Sequence, residues 1–210
     1  MNKKRRVKRG KIALLCFIVL IIVCCVLFFS NRKKKNNPTR NVEIVDSIDN
    51  FDYQLNDNKT KYYNGLFNSL KSLLSKDDYD EEEYAVLISK LFLADFYDLD
   101  NKVMKSDIGG TQFVYSDYRE DFEKGAIDTV YKSVESNVYG DRKQSLPIVK
   151  NIESTSVTSD SFEYGDSIDY KAYFVRLNVS YEKDLGYPTD ISLVLIHNND
   201  KLEIAKMEAM

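Results

Sequence analysis

Histidine occurs once among the 210 residues, at His197, and cysteine three times, at Cys16, Cys24 and Cys25. A metal site built from several imidazoles is therefore excluded, as is a Cys-His nucleophilic pair outside the first 25 residues. The chain beyond Cys25 can form no disulfide, so its core must stabilise it unaided, and about 150 residues are enough to bury one. Glycine is sparse, and Gly109-Gly110 is the only adjacent pair. No Gly-x-Ser-x-Gly elbow presents a serine, and neither spaced glycines nor a Lys-Ser/Thr turn that pair into a phosphate cradle, so the two glycines read as a turn. His197 reads as a polar residue near a turn rather than a base. Acid is missing from one region altogether: residues 1–40 hold 12 Lys and Arg and no Asp or Glu, which leaves 18 cations against 33 acids and a net charge near −15 for the remainder. That surface excludes nucleic acid as a partner, because its binding depends on cations that neutralise phosphates.

What is present first is Ile12 to Phe29, 18 consecutive apolar residues without charge, Pro or Gly. At about 1.5 Å per residue this run approaches the hydrocarbon thickness of a bilayer and predicts one transmembrane helix. Seven cations precede it and five follow it by Arg40, so the N-terminus is placed in the cytoplasm and the C-terminal portion outside. A cleaved signal peptide is the competing reading, but Phe28 and Phe29 before Ser30 are not the small residues that cleavage requires. The expected organisation is a basic cytoplasmic tail over 1–11, a signal anchor over 12–29, a tether over 30–47 and an extracytoplasmic domain over 48–210. The expected location is the cell membrane, in a single pass.

Within the domain, Phe51, Tyr53 and Leu55 alternate as an extended piece, and Tyr63, Leu66, Phe67, Leu70, Leu73 and Leu74 mark a helix over about Lys59 to Ser75. The run Asp77 to Glu83 lacks the alternation and central Gly of a calcium loop. It reads instead as a helix start, with Asp78 or Asp80 as cap and glutamates at the positive end of the dipole. That helix runs to about Leu99. A third is expected from an N-cap at Ser116 to near Asn137. After Pro147 the period becomes two: strands are expected over Ile148 to Val157, Asp169 to Tyr181, Ile191 to Ile196, and from Leu202 onward, after a turn at Asn198-Asn199-Asp200. Helices followed by consecutive strands specify an α+β domain of about three helices on an antiparallel sheet of about four strands.

This order resembles the nuclear-transport-factor-like (cystatin-like) cone, in which helices pack into the concavity of a curved sheet, and its membrane-anchored version in the bitopic assembly factors of type IV secretion and conjugation systems. The piece FVYSDYREDFEKGAIDTVYKSVES is similar to a helix of that family. The resemblance implies a scaffold role in an envelope complex and carries over no functional residue.

From the residues themselves, no catalytic, metal-binding or cofactor-binding residue is assigned, no cofactor is expected, and the chain reads as a non-enzyme. Tyrosines offer contact area and a hydroxyl, so Tyr97, Tyr118, Tyr131 and Tyr173 are the candidates for the rim of a small-ligand pocket. The expected partners are the membrane, through one span, and envelope proteins or a second copy. A small-ligand-binding domain is the alternative, and an enzyme of the same fold ranks below it.

Overall fold

In the computed structural model, residues 42–209 are described. The chain opens with a two-stranded antiparallel hairpin, β1 (Ile44–Ile48) and β2 (Tyr53–Asn56), joined through a 3-10 turn at Asp49–Phe51 and a left-handed Asp52 with φ 50°. Helix α1 (Lys61–Leu74) follows, capped by Thr60, whose hydroxyl accepts the Tyr63 N–H at 3.2 Å. Tyr63, Phe67, Leu70 and Leu73 recur at three and four residues and form its buried stripe.

Helix α2 (Glu81–Phe96) begins at Asp80, whose carboxylate accepts the Glu82 and Glu83 N–H groups at 2.9 and 3.2 Å. From Tyr84 on, α2 is buried on nearly every side, as befits the central helix of a core. The turn Gly109-Gly110 lies against its C-terminal end. A Cβ on Gly109 would come within 2.2 Å of the Asp95 carbonyl oxygen, and Gly110 sits at φ 77° with its N–H on the Asp95 carboxylate. One glycine thus permits close approach and the other a left-handed turn.

Helix α3 is shorter than its sequence suggests. Ser116–Tyr118 form a 3-10 turn, α3 spans Arg119–Asp128, and Thr129 leaves helical geometry at ψ −95°. Ser116 is not its cap; the hydroxyl bonds Asp117 instead. Tyr131 and Val134 are still buried, but from the irregular segment beyond.

Four strands complete the chain as an antiparallel meander, β3 (Val149–Tyr164), β4 (Ser167–Tyr181), β5 (Asp190–Asn198) and β6 (Lys201–Ala209), in that order across the sheet. The β3–β4 register shifts at three places, and such bulges bend and twist a hairpin. One sheet face, with Val175, Leu177, Val179, Ile191, Leu193 and Leu195, meets the helices and the first hairpin in the main core. On the other face Ala172, Val194 and Ile196 lie beneath an aromatic cover that includes Tyr115, Phe162, Tyr164 and Phe174.

The described residues are thus α+β, with three α-helices and two sheets of two and four strands. The expected transmembrane architecture is corrected here: no helix among the described residues is long and apolar enough to cross a membrane. The longest, α2, has 16 residues, or about 24 Å at 1.5 Å per residue, and it carries Glu81, Glu82, Glu83, Lys90 and Asp95. The stretch 12–29, the basic tail before it and the tether to residue 41 lie outside the described residues. The single-pass, signal-anchor and cell-membrane readings, and the membrane as a partner, are therefore not carried further.

Candidate functional site

The alternation that places Ile191, Leu193 and Leu195 on the helix-facing side of β5 continues to His197, so its ring turns toward the start of α2. Each ring nitrogen meets a carboxylate there. Nδ1 lies 2.8 Å from Asp169 Oδ2 and Nε2 lies 3.2 Å from Glu81 Oε1. The Tyr173 hydroxyl donates to the second Glu81 oxygen at 3.0 Å, with its ring centroid 5.9 Å from the imidazole. The residues come from separate parts of the chain: Glu81 from the first turn of α2, Asp169 and Tyr173 from β4, and His197 from β5.

Asp169 is the best held of them. It also accepts the backbone N–H groups of His197 at 2.7 Å and Lys171 at 2.8 Å. Burial alone would raise its carboxyl, but these N–H groups and the imidazole together hold it below the usual carboxylate range. Burial, and then the hydrogen bond to Glu81 and the charges of Glu81, Glu82 and Asp80, push the Tyr173 hydroxyl far above the usual phenol range.

Glu81, Asp169 and His197 line an open cleft of about 580 Å³ together with Tyr164, Ile168, Tyr170 and Lys171. The His197 and Glu81 side chains are 30% and 44% exposed, against 9% for Asp169. Tyr170, 76% exposed, and Ile168 stand out at the rim. No serine, threonine or cysteine lines the cleft, and no group of three or more His, Cys, Asp and Glu suited to a metal ion occurs among the described residues.

The four tyrosines expected at a rim are not brought together. Tyr97 caps the end of α2 inside the core, against Phe96 and Tyr181, and burial pushes its hydroxyl up to about 12. Tyr131 is fully buried, donates to the Phe96 carbonyl at 2.6 Å and accepts the Gly109 N–H at 3.1 Å, which are structural duties. Tyr118 is half-buried, edge-on to Tyr115 at 5.2 Å. Tyr173 alone of the four touches a cleft residue, through its hydrogen bond to Glu81. Sequence reasoning sets His197 aside as a polar residue near a turn, reads Glu81 with the other glutamates as a partner of the helix dipole, and gives Asp169 no role. The available signal was the alternation along β5, which puts its last imidazole on the core side rather than in the turn.

A second charged cluster is buried at the other end of α2. Asp95 accepts from Lys59 Nζ at 2.7 Å, Lys102 Nζ at 2.6 Å and the Gly110 N–H at 2.8 Å. Lys102 and Asp95 are almost wholly enclosed, so this cluster fastens the glycine turn and the start of α1 to α2 and offers no site.

The chain matches no family model, no curated protein and no solved structure.

Proposed function

We propose that this domain is a protein-interaction module that presents the His197 cleft and its rim to a basic partner. The observation that carries the reading is the pairing inside the cleft. His197 Nδ1 meets Asp169, its Nε2 meets one Glu81 oxygen and the Tyr173 hydroxyl donates to the other, and no serine, threonine or cysteine lines the cleft, so it offers no aliphatic hydroxyl or thiol nucleophile of the kind covalent catalysis uses. What faces outward is a large aromatic ring, an aliphatic side chain, the Lys171 side chain and carboxylate charge, the composition of a contact surface. The net charge near −15 beyond residue 40 favours a cationic partner and speeds its encounter. The resemblance to the nuclear-transport-factor-like cone belongs to the same proposal and supports a scaffold role.

The test is site-specific photocrosslinking in the native cell from position 170, with position 143 as a control away from the cleft. A recurrent partner captured at 170 only, and lost when Ile168→Asp is added, supports the reading. It fails if position 170 returns the same proteins as the control. It fails equally if the purified full-length protein turns over a metabolite and His197→Gln abolishes that turnover.

A further inference from the structure

We propose that the His197 cleft binds the cationic head of a lysine or arginine side chain of the partner, in competition with the proton on His197. The proposal rests on the interaction reading above and adds to it the ligand group and its control.

A neutral imidazole has one N–H and one lone pair, whereas the imidazolium has two N–H groups. Here both nitrogens face carboxylate oxygens, so only the imidazolium satisfies both contacts. When the ring is neutral its one N–H belongs to Asp169, which is closer and already anchored by two backbone N–H groups. The Nε2 lone pair then faces Glu81 Oε1, and the half-exposed Glu81 loses a donor. An ammonium or guanidinium entering the cleft would replace that donor with a charge-assisted bond. Tyr164 and Tyr170 line the same cleft, and aromatic rings attract a cation placed over them.

Charge counting gives the direction of the coupling. Two carboxylates and Lys171 leave the cleft with one negative charge when the imidazole is neutral, and with none when it is protonated. The charged or titratable groups facing His197 are Glu81 from α2, with Asp80 and Glu82 close by on Tyr173, then Tyr164 from β3 and Asp169, Lys171 and Tyr173 from β4. On β6, Lys201 lies over the Tyr53 ring and Glu203 accepts from Asn198, so neither is directed at the imidazole.

The experiment uses the full-length protein and two probes, n-butylammonium and propylguanidinium, the lysine and arginine side chains cut from their backbone, with n-butanol as an uncharged control. Because the chain has one histidine, a single imidazole resonance reports its protonation, and amide shifts report affinity. Both cations should bind roughly five- to tenfold tighter once the imidazole is neutral, the effect of one added charge at a few ångströms in a surface cleft. His197→Gln should bind them at the tighter level on both sides of that titration, Glu81→Gln should lose the binding, and n-butanol should not bind. Equal affinity in both protonation states of the wild type would overturn the proposal, as would an unchanged pH dependence in His197→Gln. No cation binding at any pH overturns it as well, while the photocrosslink at position 170 still decides the interaction reading separately.

Discussion

Asp95 and Asp98 lie three residues apart, and their carboxyls are driven in opposite directions. Burial would raise Asp95, but Lys102 and Lys59 overcome it and hold the carboxyl well below the usual range. Asp98 is 4% exposed and has no such pair. Burial pushes it up to about 6, Lys102 pulls it back, and the charges of Asp95 and Asp100 raise it again. Because its folded value exceeds the ordinary 3.8, the native state holds this proton more tightly than the unfolded chain. Its contribution to stability is present below about pH 4 and lost as pH rises through 6, a difference of about 2–3 kcal/mol. Asp98→Asn keeps an oxygen for the Val149 N–H and removes the titration, so denaturant unfolding should show the variant gaining on wild type by that amount between pH 4 and 7. A difference that stays constant across that range would mean Asp98 is not held protonated by the fold. The outcome was not legible in the sequence, because the burial of both carboxyls and one of the Asp95 partners arrive by tertiary contact: Lys59 is 36 residues from Asp95. The same holds for the cleft, where Glu81 and His197 are 116 residues apart and no spacing announces their meeting.

At the scale of the element, legibility follows periodicity. The stripe at Tyr63, Phe67, Leu70 and Leu73 and the cap at Asp80 could be read because their causes are local. The third helix could not be bounded, since Tyr131 and Val134 keep a helical spacing while being buried from a non-helical turn. The pairing of β1 with β2 was hidden because β1 is short and mostly exposed, with no turn dipeptide to announce it. The alternation in β4 is the clearest signal, and it can be tested directly. Leu177 is 1% exposed between Val175 and Val179 on the helix-facing side and pairs with Ile191. Leu177→Asp would bury a charge among those side chains and should cost several kcal/mol, whereas Arg176→Asp, one residue along on the exposed side, should cost little. Equal urea midpoints for the two variants would show that the β4 register is wrong.

For the whole molecule the decisive question is where the cooperative unit begins. The sequence places that boundary near residue 48, where polar tether gives way to alternation, and strand β1 over Ile44–Ile48 lies just ahead of it. Strand β1 pairs with β2, Ile48 is packed in the main core, and Asp46 forms an ion pair with Lys71 on α1. That pair is partly exposed and is worth little alone; the pairing of β2 and the cover over Tyr53 and Leu55 matter more. A fragment of residues 42–210 should therefore unfold in a single transition, because helices, hairpin and sheet share one core. A fragment of residues 49–210 lacks β1, leaves the inner edge of β2 unpaired and uncovers apolar surface around Ile48. It should be less stable by about 1–3 kcal/mol, with a smaller dependence on denaturant as less surface is buried. If both fragments unfold at the same urea concentration, β1 is not part of the cooperative unit, and the domain begins where its alternation does.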